Sequence, residues 1–357
     1  MRYIAALAAL PLLIVILNSL TMRTIKASTA KTITELVSIL IPMRNEERNA
    51  SKVIEAVGAQ VGLQKSEFLV LNDHSQDLTQ SILQNYNSVN SLTGQDLPDG
   101  WLGKNYACHQ LVAHSKGEYL VFLDADVRIA PRAISASITS MKYWGWDFVS
   151  PYPRQIAFTF IERLIQPLLQ WSWLSSVFLR LAEKLRFKSM VIANGQFFVV
   201  KRSAYIASGG HKAIKSEILD DLELARLLVL SGFKGGVADG SSVAECRMYN
   251  NGKELFGGYS KSLWRAFGGI PGTIFALTFL FLTGTLPFVI ALTGNRWAWV
   301  GYTFIVISRL IAALKTRSTI STAFLHPLSI LLFIFLNLNS WTKKARGTLT
   351  WRDRSVA

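Results

Sequence analysis

Hydrophobic residues in this chain follow two different patterns, and the first occupies the middle of the sequence. Over residues 31–269, short apolar runs alternate with amphipathic segments, which predicts a parallel β-sheet with crossover helices in one soluble domain. The predicted strands are residues 36–41, 67–71, 119–123 and 148–150. Each is a compact apolar run, as expected for strands that are covered on both faces. The predicted fold class is therefore α/β, with a mostly parallel, open sheet that has helices on both sides.

The second pattern consists of longer apolar blocks near both ends of the chain. Residues 4–20 are almost uncharged and slightly shorter than the roughly 20 residues that span a bilayer. Further blocks occupy residues 270–293, 297–314 and 320–339. An uncleaved anchor is favoured over a secretory signal, because the first block ends without a small-residue cleavage site. We predict an anchor at residues 1–22, membrane helices at 270–340 and a basic tail at 341–357.

The basic residues beside these blocks predict an orientation. Arg2 precedes the first block, whereas three basic residues follow it at positions 23–31, so the positive-inside rule places the soluble domain in the cytoplasm of a multi-pass membrane protein. Three further crossings would leave the tail outside, although the tail is basic. One of the last two blocks, which contain Arg309 and His326, is therefore a candidate for a re-entrant or interfacial segment.

Residues 156–187 form a less regular stretch inside the predicted soluble domain. They combine Trp171, Trp173 and leucine-rich runs with acidic and basic side chains. An interfacial amphipathic helix and a buried helix pair of the soluble domain both fit this pattern, so both interpretations stay open.

Composition and charge exclude several classes of protein. Half of the residues are hydrophobic, 17% are charged and the net charge is +15. In a chain with membrane blocks, an excess of basic over acidic residues is typical of segments that flank the membrane beside anionic lipid head groups. No basic-aromatic module indicates nucleic acid as a partner. Cys108 and Cys246 lie far apart in sequence, so neither a disulfide framework nor a zinc site is predicted. The sequence lacks the glycine-rich motifs of dinucleotide-binding and ATP-hydrolysing proteins, which argues against both of these functions.

Polar residues follow the first three predicted strands, at positions 42–47, 72–77 and 124–126. In open α/β sheets ligands bind beyond the carboxyl ends of the strands, so these segments are expected to converge on one crevice. Asp124 and Asp126 are hard oxygen donors suited to a divalent cation with a bound diphosphate. The alternative is that such residues cap helices, with Asn45 as the first example.

In their order and spacing, these segments resemble the inverting nucleotide-sugar glycosyltransferases of family 2, which have the GT-A fold. The resemblance covers most of the chain and rests on Pro42-Met43-Arg44-Asn45-Glu46-Glu47, Asn72-Asp73-His74-Ser75, Asp124-Ala125-Asp126 and Asp220-Asp221. Further segments, at 100–105, 247–249, 258–261, 326–328 and 350–354, resemble a membrane-bound subgroup that includes carotenoid- and hopanoid-associated glycosyltransferases. This subgroup implies a lipid-like acceptor.

The resemblance also implies roles for individual residues. The implied donor-binding residues are Pro42, Asn45, Glu46, Asp73, Lys104 and Asp124, and the implied ligands of Mg²⁺ or Mn²⁺ are Asp126 and Asp124. Asp221 would be the general base that takes the proton of the acceptor. Asp220 stands where related enzymes often have Glu, so either member of the pair stays open as the base. The alternative is that both simply enrich the first turn of a helix.

Four further residues are candidates for contact with the acceptor: Gln196, His211, Trp264 and Arg265. For Trp264 and Arg265, a position at the membrane interface explains the residue types equally well. For Gly195, Gly209 and Gly210, which lie near the first two candidates, turn geometry is the simpler explanation. Processive synthases of the family carry Gln-x-x-Arg-Trp, whereas residues 260–265 read Ser-Lys-Ser-Leu-Trp-Arg, which argues against a processive polymerase.

The predicted protein is a membrane-bound enzyme that faces the cytoplasm. It would transfer one sugar from a nucleotide sugar, typically a UDP-sugar in this family, to a hydroxyl or carboxyl group of a carotenoid- or hopanoid-type lipid. The alternatives are a polyprenyl-phosphate glycosyltransferase of the same fold and a membrane scaffold or transporter without catalysis. The last alternative leaves the carboxylates at the strand ends unexplained.

Overall fold

The computed structural model describes residues 1–351 and 354–355. Arg352 and Asp353 of the last resemblance segment, and residues 356–357 of the predicted tail, lie outside the described residues. The chain forms two compact units. We call residues 23–154 and 182–246 the sheet unit, and residues 1–22, 155–181 and the described residues from 247 onward the helical unit.

The strands and helices are numbered along the chain. The strands are β1 (Ile33–Met43), β2 (Leu63–Asn72), β3 (Asn90–Thr93), β4 (Tyr119–Leu123), β5 (Val127–Ile129), β6 (Phe148–Tyr152), β7 (Arg154–Gln155), β8 (Phe197–Lys201), β9 (Gly235–Asp239), β10 (Ala244–Cys246), β11 (Thr350–Trp351) and β12 (Arg354–Ser355). The helices are α1 (Arg2–Thr21), α2 (Ala50–Gly58), α3 (Thr79–Gln84), α4 (Gly103–His114), α5 (Ala133–Trp144), α6 (Phe160–Ser176), α7 (Leu179–Leu185), α8 (Arg202–Ser208), α9 (Gly210–Ala213), α10 (Asp220–Leu230), α11 (Gly252–Ser262), α12 (Ile270–Leu280), α13 (Leu286–Ala291), α14 (Arg296–Lys315) and α15 (His326–Ala345).

The central sheet of the sheet unit has the strand order β3-β2-β1-β4-β8-β6-β9. All neighbouring strands are parallel except β8, which runs antiparallel to β4 and β6. The α/β prediction is confirmed, and the four predicted strands correspond to β1, β2, β4 and β6. Every residue of β4 is buried, because helices cover both faces of the sheet.

The strand order reverses between β1 and β4. From β1 the chain moves outward to β2 and β3, and it then returns to place β4 on the other side of β1. Such a switch point opens a crevice outside the carboxyl ends of the two strands, where ligands of open α/β sheets bind. The segments at residues 44–47 and 124–126 therefore leave the sheet where a ligand is expected.

The helical unit contains the long apolar helices. Within the described residues, four helices are long and apolar enough to cross a membrane: Arg2–Thr21, Ile270–Ala291, Arg296–Lys315 and Ala323–Ala345. They correspond to the four predicted blocks. A π-helical turn at Phe281–Thr285 lies within the second of them. Helix α6, from the less regular stretch at residues 156–187, packs against α1, α14 and α15. The domain boundaries proposed from the sequence remain a prediction.

Candidate functional site

The loops after β1 and β2 are joined to each other by side chains. Met43 and Asn72 are partners at the ends of these parallel strands. The Asn45 backbone N–H donates to Ser75 Oγ at 2.9 Å, and Asn45 Oδ1 accepts from the Gln76 backbone N–H at 2.8 Å. Asn45 therefore connects the two loops, and the alternative in which it caps a helix is wrong because α2 begins only at Ala50.

Backbone strain marks the same pair of loops. Asn45 and His74 both have φ of 53°, a left-handed conformation that costs free energy for residues other than glycine and persists only where neighbours hold it. Asp73, between β2 and His74, is 9% exposed, and Arg44 Nη1 donates to its carbonyl oxygen at 2.8 Å. Pro42 lies inside β1, one residue from its end.

The first loop is also joined to the loop after β4. The Glu46 carboxylate accepts from Asn49 Nδ2 at 2.9 Å, and Asn49 Oδ1 accepts from Arg128 Nη2 at 3.0 Å. Arg128 Nη1 donates to the Ala125 carbonyl oxygen at 2.8 Å. This chain of contacts holds Glu46 beside the Asp124-Ala125-Asp126 segment.

Lys104 joins two of the predicted carboxylates. Its Nζ lies 2.9 Å from Asp124 Oδ1 and 3.3 Å from Asp220 Oδ2. Burial lowers the pKa of Lys104, but the charges of Asp124 and Asp220 outweigh that effect and hold its pKa well above the usual range. A cation in the first turn of α4 opposes the helix dipole, so the two carboxylates are what stabilise Lys104 there.

Asp221 is held by backbone N–H groups. Its Oδ2 accepts from Gly195 at 2.7 Å, and its Oδ1 accepts from Leu222 at 2.8 Å. Burial, followed by the neighbouring charge of Asp220, raises the pKa of Asp221 to about 6. A fixed carboxylate with a pKa raised toward neutrality is suited to accept a proton. Both aspartates lie in the first turn of α10, so the helix-start and catalytic interpretations are compatible.

Gly195 is required by the close approach of Asp221. A Cβ at position 195 would lie 2.9 Å from Asp221 Cβ and 3.4 Å from Lys104 Nζ. The expected turn geometry explains Gly209 and Gly210, which have φ of 89° and 52°, but Gly195 has no positive φ. The sequence did not predict this contact, although Gly195 and Gln196 were both singled out.

Asp126 differs from the other carboxylates in this region. Its Oδ1 is buried without a hydrogen-bond partner in the described part of the chain. Burial, followed by the charges of Asp124 and Glu46, raises the pKa of Asp126 to about 7, while a hydrogen bond from the Cys246 thiol opposes the rise. Gln196 Nε2 donates to Cys246 Sγ at 3.0 Å.

The carboxylate oxygens of Asp124 and Asp126 fit a metal ion whose other ligands are water and substrate phosphates. Among the described residues, no group of three or more His, Cys, Asp or Glu side chains is arranged to hold a metal. Mg²⁺ commonly binds one or two carboxylates together with water and substrate phosphates. The unpartnered oxygen of Asp126 and its desolvated carboxylate fit such an ion.

Asn105 is a positioning residue that the sequence did not reveal. It is 1% exposed, and its Nδ2 lies 2.9, 3.2 and 3.0 Å from the carbonyl oxygens of Ile214, Lys215 and Glu217. These contacts fasten the start of α4 to the segment that leads into α10. Asn105 thereby fixes Lys104 relative to the aspartate pair.

The candidate acceptor residues occupy different surroundings. Gln196 is 4% exposed, and His211 is 3% exposed with its Nδ1 2.9 Å from Tyr205 Oη, so both belong to the packed interior of the sheet unit. Trp264 and Arg265 belong to the helical unit, where the Trp264 backbone N–H donates to Ser340 Oγ at 3.0 Å. The acceptor roles of all four residues remain predictions.

The chain is similar to known glycosyltransferases. Residues 38–209 match the model of the family described as Glycosyl transferase family 2. A 4,4'-diaponeurosporenoate glycosyltransferase of Staphylococcus aureus is 25% identical over 352 residues, which cover 93% of this chain and 91% of the relative. A protein of the same name from Staphylococcus haemolyticus is 26% identical over 259 residues, covering 71% and 68% of the two chains.

Among solved structures, a mannosyltransferase from Pyrobaculum calidifontis in complex with GDP-Man and Mn²⁺ resembles the whole chain. The TM-score is 0.54 at 16% sequence identity, and the match covers 99% of each chain. At this identity the likeness shows the fold alone. The resemblance inferred from the sequence is confirmed, and the chain is a glycosyltransferase with a family 2 domain and a GT-A-like fold.

Proposed function

We propose that this enzyme transfers one sugar from a nucleotide sugar, typically a UDP-sugar, to a lipid of the carotenoid or hopanoid type, with inversion at the anomeric carbon. The observation that carries the proposal is the Asp221 carboxylate, held by the Gly195 N–H at 2.7 Å next to the Lys104–Asp220 ion pair. The relatives named for 4,4'-diaponeurosporenoate and the four apolar helices support a lipidic acceptor.

The donor is proposed to lie at the switch point of the sheet. Pro42, Asn45, Glu46 and Asp73 would hold the nucleoside, because the joined loops after β1 and β2 form one wall at the carboxyl ends of the strands. Lys104 would face the diphosphate as a point charge. Since Asp124 and Asp220 already hold this ammonium group, it is positioned before the donor arrives.

The metal is proposed to be Mg²⁺ or Mn²⁺, held by Asp126 and Asp124. When bound, such an ion supplies positive charge to the leaving diphosphate. Asp126 offers a buried oxygen without a partner among the described residues, and Asp124 is kept in place by Lys104. The protein's contribution is therefore a pair of oriented carboxylates.

Asp221 is proposed to act as the general base. An acceptor hydroxyl or protonated carboxyl loses its proton to this carboxylate as its oxygen attacks the anomeric carbon, and the electron pair of the broken bond leaves with the nucleoside diphosphate. Asp220 is the weaker candidate, because its carboxylate is paired with Lys104 at 3.3 Å. The Gly195 and Leu222 N–H groups orient Asp221 without neutralising it.

Transfer of a labelled sugar tests the proposal. Membranes containing the wild-type chain are incubated with a panel of radiolabelled nucleotide sugars and with carotenoid acid, hopanoid or polyprenyl phosphate. We expect label in a carotenoid or hopanoid product of inverted anomeric configuration, loss of product in Asp221→Asn, and retained product in the matched control Asp220→Asn. Label in polyprenyl phosphate alone would contradict the proposed acceptor, and no lipid product with any donor would contradict the proposed reaction.

The sheet unit is proposed to face the cytoplasm of the cell membrane. The excess of basic residues at positions 23–31 over the single Arg2 supports this orientation. Protease added to sealed right-side-out vesicles should leave the sheet unit intact, whereas the same protease should digest it in inverted vesicles. The opposite pattern would contradict the orientation.

A further inference from the structure

Two basic side chains of the helical unit are buried and have nitrogen atoms without a hydrogen-bond partner among the described residues. Arg309 on α14 is 2% exposed, and His326 at the start of α15 is fully buried. The Nη1 atom of Arg309 and both ring nitrogens of His326 have no hydrogen-bond partner in the described part of the chain. A buried guanidinium without a counter-charge is strongly disfavoured, so an additional group is required to compensate it.

Arg309 and His326 belong to one cluster. Trp171 on α6 donates its indole N–H to Ser308 Oγ at 2.8 Å, and its ring packs edge-on against His326 at 4.8 Å between centroids. The charge of Arg309 acts electrostatically on His326. Three helices therefore meet at Trp171, which contacts His326 and the residue that precedes Arg309.

The π-helical turn contributes to the same cluster. A Cβ at Gly284, within this turn, would lie 2.8 Å from His326 Nε2 and 2.9 Å from Ile330 Cγ1. Only glycine leaves room for the imidazole at this position. Turns of this kind are often found at functional sites, which is consistent with a binding role for the cluster.

Neutral hydrogen-bonding groups on the same helices also lack partners. Both amide atoms of Gln170, next to Trp171, and the Ser329 hydroxyl, one turn after His326, are buried without a partner among the described residues. Acidic side chains are absent from α14 and α15. The acid of α6, Glu162, accepts from the Phe158 N–H at 2.9 Å and from Thr159 Oγ1 at 2.8 Å. Among the described residues of α6, α14 and α15, Glu162 is thus the only acidic side chain, and the hydrogen bonds of its carboxylate are made with its own helix start.

We infer that Arg309 binds the carboxylate of an amphiphilic lipid, with His326, Gln170 and Ser329 as neutral hydrogen-bonding partners. The planar guanidinium matches a carboxylate in a bidentate geometry. One guanidinium neutralises a single negative charge, whereas a phosphate monoester would bring further charge that this cluster does not balance. The surrounding helices are apolar enough to cross a membrane, which suits an apolar tail. This inference concerns the helical unit alone and does not depend on the donor site.

Thermal unfolding of the full chain in mild detergent tests the inference with three probes that share one alkyl chain. Oleate, oleyl phosphate and oleyl alcohol are added at equal mole fraction in the micelle. A ligand that binds only the folded state raises the unfolding midpoint, so oleate should raise it and oleyl alcohol should not. Arg309→Gln should weaken the apparent affinity for oleate about tenfold or more. Arg309→Lys should keep part of the response, and Arg296→Gln, at the exposed start of α14, should keep all of it.

Several outcomes would overturn the inference. An equal shift with oleyl alcohol would show that the alkyl chain alone is bound, and an unchanged response in Arg309→Gln would place the carboxylate elsewhere. A larger shift with oleyl phosphate would assign the cluster to a phosphate instead. A second test requires no variant to fold. The wild-type protein should retain radiolabelled oleate after detergent exchange, and unlabelled oleate, but not oleyl alcohol, should displace it. Absence of such retention would contradict the inference.

Discussion

The sheet unit and the helical unit differ in the partners they provide for charged side chains. In the sheet unit, Lys104 lies between Asp124 and Asp220, and the backbone N–H of Gly195 holds Asp221. In the helical unit, Arg309 is 2% exposed, and its Nη1 atom has no hydrogen-bond partner among the described residues. The chain itself therefore supplies partners for the aspartates of the proposed site, whereas the Nη1 atom of Arg309 has no hydrogen-bond partner in the described part of the chain.

Removing the proposed base should have the largest effect. Asp221→Asn keeps the size of the side chain and can still accept one of the two backbone hydrogen bonds, but an amide does not take the acceptor's proton. We expect the single-turnover rate to fall about 10³-fold. The affinity for the nucleotide should change by less than about threefold. A rate within tenfold of wild type, in protein that binds donor normally, would contradict the role of Asp221.

Displacing Asp221 without changing it should have a smaller effect. In Gly195→Ala, the new methyl group would lie 2.9 Å from Asp221 Cβ, so the aspartate or the loop must shift, and we expect the rate to fall about 10²-fold. Overpacking should also lower the free energy of unfolding by about 1–3 kcal/mol. Gly58→Ala is the matched control, because a Cβ there meets nothing within 4 Å. Equal behaviour of the two variants in rate and chemical denaturation would contradict the close contact.

The raised pKa of Asp221 predicts a pH dependence of the rate. The base must be ionised, so the rate should rise with pH through about 6 and fall about tenfold for each pH unit below that value. The free energy of unfolding should change with pH in the opposite direction to the rate. The folded state holds this proton more tightly than the unfolded state. The contribution of Asp221 to the free energy of unfolding should therefore decrease as the pH rises from the ordinary pKa of an aspartate to about 6.

A pH-rate profile of single-turnover transfer checks this prediction, with Asp220→Asn as the comparison. Replacing Asp220 removes a neighbouring negative charge that raises the pKa of Asp221, so the midpoint of the profile should move to lower pH. A midpoint that stays in place, or moves upward, would show that another group governs the profile.

Lys104 and Arg309 should respond oppositely to replacement by methionine. The expected changes in the free energy of unfolding are the smallest effects in this set. Lys104→Met removes a partner from two carboxylates and should lower the free energy of unfolding by about 1 kcal/mol, a modest value because Lys104 is 38% exposed. Arg309→Met removes an unpaired buried charge and should raise it by about 1–2 kcal/mol in protein freed of lipid. Chemical denaturation checks both signs, and stabilisation by Lys104→Met or destabilisation by Arg309→Met would break the comparison.

Much of the fold was predictable because its signals are local. The strand at residues 119–123 has the same bounds in the sequence prediction and in the structure, and the apolar blocks became long helices, since runs of apolar residues carry both signals. Polar residues at strand ends likewise indicated which segments meet, because the carboxyl ends of parallel strands lie at one edge of a sheet.

The remaining features depend on contacts between distant segments. Asn45 was assigned a cap as an alternative from its local context, but its partner is Gln76, 31 residues away. The need for glycine at position 195 arises only when α10 brings Asp221 beside it. Burial of Arg309 Nη1 without a hydrogen-bond partner in the described part of the chain is likewise a property of packed helices, and a single arginine in an apolar block does not reveal it.

The most direct test of the central claim is the thermal stability of the purified full chain with Mn²⁺ and a panel of nucleoside diphosphates. The account predicts that one nucleotide raises the unfolding midpoint only when Mn²⁺ is present, that Asp126→Ala abolishes this shift and that Asp221→Ala retains it. Folded wild-type protein that shows no shift with any nucleotide, or equal loss of the shift in both variants, would contradict a donor site built from the loop after β4 and separate from the base.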